Sequence, residues 1–295
     1  MKITLLGTGT PHPSLKRASS GYLIEVGNDV IVMDHGPDAH HRLIETGIKA
    51  TQVTHAFLSH LHYDHCMDYP RLVLQRWDMG ADKIPELKVF GPPPIKRMTR
   101  QLFDADGVFG PDINARIHHQ LSIDVFESRG GKTPRQWPKP QVKEIAPGDV
   151  IDGDGWRITV AEASHAQPQL DCLAFRLDSD EGSMVYSGDS GGVCPDIIEL
   201  SRGVDVLIHM VHFMSGTEPT QIYRLGCGNH LDTARIAKEA GVKTLVCSHM
   251  LSTIDQPGVR ERILKEMMEV FPGIIVWGED LMEIPLAQPK KVAMG

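Results

Sequence analysis

The segment Ser59-His60-Leu61-His62-Tyr63-Asp64-His65 constrains this 295-residue chain more than any other. Three imidazoles and a carboxylate fall within six residues, directly after the apolar stretch His55-Ala56-Phe57-Leu58. In extended backbone, side chains alternate with period two, so His60 and His62 point to the same side. Asp64 and His65 follow in the turn and can swing to a neighbouring position. Imidazole nitrogen and carboxylate oxygen are ligand types that zinc accepts, at about 2.0–2.2 Å. One short loop can therefore supply two ligands to each of two adjacent ions, which a lone histidine cannot.

The rest of the chain reads as strands alternating with helices. Residues 2–6, 22–26, 30–33 and 56–59 are strand-like, rich in aliphatic and β-branched side chains and bounded by turn signals such as GTGT (7–10). Helices are predicted over 38–46, within 63–78, and after the GPPP breaker (91–94) to about 103. From 107 to 155 glycine and proline recur, most densely in GGKTPRQWPKP (130–140), so this stretch is predicted to be a loop-rich insertion. Strands return at 157–162, 172–177, 184–187, 204–209, 244–248 and 274–277, with helices at 195–201, 230–240 and 258–270. Such alternation implies sheets covered by helices. No linker separates independent units, so residues 1–295 are expected to form one domain.

The formal net charge of −8 gives no bulk attraction for nucleic acid or an anionic membrane. The five cysteines are odd in number and form no CxxC pair, which points to a reducing compartment and a cytoplasmic protein. The N-terminal residues read as a strand rather than a signal peptide, and no segment reaches the roughly 20 apolar residues of a membrane span.

The histidine-rich loop closely resembles that of the metallo-β-lactamase superfamily, and further motifs follow in that family's order. Met33-Asp34-His35-Gly36 matches the Asp that supports the metal loop. Ala163-Ser164-His165, Tyr186-Ser187-Gly188-Asp189 and Val246-Cys247-Ser248-His249 match the remaining ligands. The resemblance implies a four-layer αββα sandwich of two mixed sheets with helices on the outer faces. It implies two Zn²⁺, with iron or manganese as alternatives that the same donors accept. One ion would take His60, His62 and His165; the other would take Asp64, His65 and His249; Asp189 would bridge them. A hydroxide between the metals would be the nucleophile, with Asp64 also part of the catalytic site, and the resemblance further implies a homodimer.

The opening LLGTGTPHPSLKRASSGYLIE and the stretch His230-Leu231-Asp232-Thr233 resemble the ribonuclease Z-like branch, which also contains arylsulfatases and phosphodiesterases. There a histidine at the start of this helix assists the leaving group, so His230 takes that role by resemblance. Two features depart from the branch. Met210 stands where ribonuclease Z carries a glutamate partner for that histidine, with His212 two residues on as a possible substitute. The stretch between His165 and Asp189 is also too short for a tRNA-gripping arm. Together with the acidic charge, these departures point to a small-molecule ester, lactone, phosphodiester or sulfate ester as substrate. Nucleic acid is disfavoured as a partner, and no membrane is expected. A ribonuclease Z-like endoribonuclease that processes tRNA 3′ ends is the alternative.

Overall fold

A computed structural model describes residues 1–286 of the chain. The first sheet holds β1 (Lys2–Gly7), β2 (Gly21–Val26), β3 (Asp29–His35), β4 (His55–Phe57), β5 (Lys88–Gly91) and β6 (Gln141–Glu144). The second holds β7 (Val150–Asp152), β8 (Trp156–Glu162), β9 (Leu173–Ser179), β10 (Gly182–Tyr186), β11 (Val206–Met210), β12 (Thr244–Ser248) and β13 (Ile274–Trp277). A last short strand, β14 (Glu283–Ile284), returns to pair with β1, so the first sheet runs β14-β1-β2-β3-β4-β5-β6. The second runs β13-β12-β11-β10-β9-β8-β7. Each sheet mixes antiparallel hairpins with parallel strands: β3 pairs β4 in parallel, and β10, β11 and β12 are parallel neighbours.

The sheets face each other across an apolar layer. Leu5, Tyr22, Ile24, Met33 and Phe57 of the first meet Ile158, Phe175, Leu177, Met184 and Ile208 of the second. Strands such as Val206–Met210 are buried on both faces, which is why they read as continuous apolar runs. Helices α1 (Ala39–Glu45), α2 (Tyr63–Cys66), α3 (Tyr69–Gly80) and α4 (Ile95–Phe103) belong to the first half. Leu43, Leu72, Val73 and Ile95 bury against the outside of its sheet. The α/β four-layer arrangement is thus present: helix, sheet, sheet, helix.

The stretch 107–155 departs from its loop-rich reading. It contains α5 (Gly110–His118) and α6 (Gln120–Ser128). Pro111 acts here as a helix starter, not a breaker, because its missing N–H falls in the first turn, where no intrahelical partner exists. Ile113 and Phe126 are fully buried, and the Arg135 guanidinium lies 3.7 Å from the Trp77 ring while binding Asp78. The glycine-rich segment after α6 is therefore tied down on α3.

On the second half lie α7 (Pro195–Leu200), α8 (Gln221–Gly226), α9 (His230–Ala240) and α10 (Val259–Val270). The Asn229 side chain accepts from the N–H groups of Leu231 and Asp232 to start α9, and Gly241 ends it in a left-handed conformation. Ala234, Ile236, Ile263 and Met267 cover the outside of the second sheet. Among the described residues, no helix is long and apolar enough to cross a membrane.

One buried histidine of this sheet makes stability depend on pH. His209 on β11 is enclosed, and burial pushes its pKa down to about 4 from the usual 6.5. The unfolded chain takes up this proton below pH 6.5 and the folded chain does not, so stability is full above pH 6.5 and falls between 6.5 and 4. A shift of this size corresponds to about 3 kcal/mol. Denaturant midpoints measured across that window should fall for the wild type and fall less for His209→Gln; parallel curves would assign the loss to other groups.

Candidate metal centre

The site lies along one edge of the sandwich, at the carboxyl ends of strands. β3 and β4 run parallel, and β8, β10 and β12 share one direction because β8 and β10 are each antiparallel to β9. The first half delivers Asp34 from the end of β3 and His60, His62, Asp64 and His65 from the segment after β4, the last two on α2. The second half delivers His165 after β8, Asp189 after β10 and His249 after β12. Asp34 and His249 adopt the left-handed region at φ 56° and 53°, unusual for non-glycine residues. Both sit where a strand must turn abruptly to aim a side chain across the seam.

All seven residues singled out in the sequence as ligands converge. Donor atoms of His60, His62 and His165 lie within 4.8 Å of one another, and so do those of His60, His65 and Asp189 and of Asp64, His65 and His249. His62 Nδ1 is 3.0 Å from His60 Nε2 and 3.2 Å from His165 Nε2. The Asp189 carboxylate is 3.3 Å from His249 Nε2, 3.4 Å from His65 Nε2 and 3.7 Å from His165 Nε2, so it stands between the two groups. Asp64 lies 3.2 Å from His249 Nε2.

The donor chemistry suits divalent cations. Burial alone would raise Asp189 and lower the histidines. The imidazoles of His249 and His65 nevertheless hold Asp189 well below the usual carboxylate range, so it is ionised. Burial, reinforced by neighbouring His65, holds His60 well below 6.5 and keeps it neutral. Ionised carboxylates and neutral imidazoles are the forms that bind metal; His65 goes the other way, burial being outweighed by Asp189 and Asp34, which hold it well above 6.5, so a cation there displaces a proton. His65 Nε2 is buried and makes no hydrogen bond, although carboxylates flank it. Such an orphaned inward-facing nitrogen fits a metal ligand better than a packing residue.

The cluster rests on a buried scaffold. Asp34 is fully enclosed and accepts from four groups: the Ser59 N–H at 2.7 Å, Ser59 Oγ at 2.7 Å, Tyr186 Oη at 2.6 Å and His65 Nδ1 at 2.7 Å. The last fixes the His65 tautomer so that Nε2 faces the cluster. The Gly226 carbonyl engages His165 Nδ1 in the same way. Ser59 and Tyr186 were not recognised in the sequence; their only signal is that each lies next to a motif, at His60 and at Ser187-Gly188-Asp189.

A glycine allows the metal loop to close. A Cβ on Gly36 would lie 1.8 Å from the Asp64 carbonyl oxygen, and backbone cannot yield there cheaply. Gly36→Ala should therefore cost at least about 1–3 kcal/mol of stability and displace Asp64. Denaturant midpoints together with metal content would check this; an alanine variant equal to the wild type in both would show that the loop is looser than drawn.

His230 is not brought into the cluster. Its Nδ1 accepts from the Ser215 N–H at 2.9 Å and its Nε2 pairs with Glu266 of α10 at 2.8 Å. Neither nitrogen meets a cluster residue; the ring ties α9 to α10 and to the loop before α8. Met210 is buried, with Sδ accepting from the Ser190 N–H at 3.1 Å. His212 does reach the cluster, with Nδ1 3.2 Å from His249 Nδ1.

Comparison with known proteins agrees with this geometry. The family model described as the Beta-lactamase superfamily domain matches residues 29–250. The chain is 32% identical to "Ribonuclease Z" of Mycobacterium bovis (strain BCG / Pasteur 1173P2) over 291 residues, 96% of this chain and 98% of that protein. The metallo-beta-lactamase fold protein YhfI from Bacillus subtilis superposes with a TM-score of 0.73 at 21% identity, over 96% of this chain and 98% of the other. Human tRNase Z, short form, superposes with a TM-score of 0.67 at 18% identity, over 97% and 100%. These relatives overturn the expectation of a small-molecule partner with nucleic acid disfavoured. That expectation rested on bulk charge, which does not describe a local surface. It rested also on a short stretch between His165 and Asp189, yet an alignment spanning 96% and 98% of the two chains leaves little room for a long arm in the Mycobacterium relative either.

Proposed function

This chain belongs to the metallo-β-lactamase superfamily, in its ribonuclease Z-like branch, and from that premise we propose that it is a metal-dependent endoribonuclease that processes the 3′ ends of tRNA precursors. The observation that carries the reading is the likeness to ribonuclease Z over nearly the whole chain, including the segments that supply the donors. His60, His62 and His165 would hold one zinc ion, Asp64, His65 and His249 the other, and Asp189 would lie between them. Two such cations would supply Lewis acidity that activates water at neutral pH and offsets charge on a phosphoryl oxygen.

The chain's own residues prepare that chemistry. Asp34 orients His65 and anchors Ser59, which locks the loop that bears His60 and His62. Strand-end placement holds the donors in fixed relative positions, so little reorganisation is needed on binding. Beside the cluster runs a groove walled by Thr10, His12, Lys16, Arg17, Met250 and Gln256. Arg17 is paired at 3.0 Å with Asp255, which lines the same groove, so Lys16 is the cationic group that the groove offers a phosphodiester backbone. Asp64, between His249 and His65, is the proposed catalytic carboxylate of the centre. The proposal includes a homodimeric cytoplasmic enzyme.

The test is cleavage of a 3′-extended precursor tRNA by purified protein of known metal content, with bis-p-nitrophenyl phosphate and p-nitrophenyl acetate alongside. Cleavage of the precursor, abolished by a chelator and restored by zinc, is the expected result. Two bound metals with no cleavage of the RNA would sink the reading.

A further inference from the structure

Outside the seven clustered donors, one side chain touches the centre without a role: His212, in the loop after β11. It is 5% exposed, and its ring stacks on His249 with centroids 5.3 Å apart. Its Nδ1 is 3.2 Å from His249 Nδ1 and its Nε2 is 3.0 Å from Tyr223 Oη on α8.

A cation at His249 leads to a consistent arrangement of the protons of this row. His249 turns Nε2 toward Asp64 and Asp189, so a cation there leaves its proton on Nδ1. The acceptor within reach of that N–H is His212 Nδ1. A neutral His212 that accepts at Nδ1 carries its own proton on Nε2, which then donates to Tyr223 Oη. Each of the two imidazole N–H groups then has an acceptor.

We propose that His212 and Tyr223 are positioning residues that fix the tautomer and tilt of His249, and so set the affinity of the cation held by His249, Asp64 and His65. The inference rests on the ligand assignment of His249 made above. It gives the second half of the molecule a counterpart to Asp34, which does the same for His65 in the first half. A neutral imidazole takes the place that a carboxylate occupies there, so His249 is oriented without further negative charge beside Asp64 and Asp189. Tyr223 sits on a short helix and is 36% exposed, so this supporting row runs from the cluster to the surface. Removing an outer partner of a metal-bound histidine typically weakens metal affinity about 10–100-fold.

The experiment is titration of the metal-free full-length protein with Zn²⁺ by calorimetry and with Co²⁺ by visible absorption, for wild type, His212→Phe, His212→Asn and Tyr223→Phe. Phe keeps the ring but accepts nothing. Asn offers Oδ1 near the position of Nδ1. In His212→Phe, one of the two metal sites should weaken about 10–100-fold, with a shifted Co²⁺ band. His212→Asn should restore affinity to within about threefold, and Tyr223→Phe should lie between the two. Unchanged Co²⁺ spectra and affinities in His212→Phe would overturn the proposal, as would an equal loss in His212→Phe and His212→Asn. Should His212→Phe fail to fold, wild-type affinity and spectrum in Tyr223→Phe would overturn it. Metal binding is read without RNA. A weakened site in a protein that leaves precursor tRNA intact would uphold this inference while the RNA reading fails.

Discussion

Asp34→Ala should strip the centre of metal and destabilise the fold in one step. Four buried donors converge on this carboxylate, from Ser59, Tyr186 and His65, and alanine offers none of them an acceptor. Each buried donor left unpaired costs about 1–3 kcal/mol, so the total is several kcal/mol even if water enters. Release of His65 Nδ1 frees its ring to rotate, which should weaken metal binding about 10–100-fold. Elemental analysis after dialysis and guanidinium denaturation measure the two effects separately. Full metal content with an unshifted midpoint would show that Asp34 does not carry the load assigned to it. Asp34→Asn should be intermediate, since it keeps one acceptor oxygen but turns an amide toward donors.

The second large effect is expected from Asp189→Ala. This carboxylate alone approaches histidines from both groups, His165 on one side and His65 and His249 on the other. Without it, buried imidazoles face one another with less negative charge to hold cations between them. Metal content should drop from two to one or none per chain, and turnover by on the order of a thousandfold or more. Retention of two metals with wild-type turnover would remove Asp189 from the site. A folded apo-like protein with the wild-type circular dichroism spectrum is expected, because no donor depends on Asp189 as its only partner in the way that Tyr186 Oη and His65 Nδ1 depend on Asp34.

The difference between these two aspartates marks what could be read from the chain alone. The donors were legible because their spacing is local: His60 to His65 lie in one loop, and His165, Asp189 and His249 each end an apolar strand. The Asp34 hub was legible only in part, since Tyr186 reaches it from the other sheet across 152 positions of sequence. The direction of His230 was not legible for the same reason. It opens α9 in a familiar setting, but its direction is set by Glu266, 36 residues later, on a helix whose placement is a tertiary fact. Helices α5 and α6 were missed because glycine and proline were counted as breakers, whereas Pro111 occupies a first-turn position where it starts a helix. The partner was misjudged because net charge is a sum over the chain and does not describe how charge is placed on the surface.

The donors come from two separate sheets, joined near the site by a few backbone bonds such as Leu173 N–H to the Ser59 carbonyl, and this has a consequence for how the enzyme can vary. The gap between the halves is filled by side chains such as Tyr22 against Tyr186, 4.5 Å apart, and Phe57 against Phe175, 5.6 Å apart. These rings are spacers for the chemistry above them. One methylene gained or lost between the sheets alters the reach from Asp64 to His249, far from any residue that touches a substrate. Tuning of such a catalyst, by selection or by an engineer, can therefore act through apolar residues that a search of the pocket would pass over. The interior works as the adjusting screw of the active site.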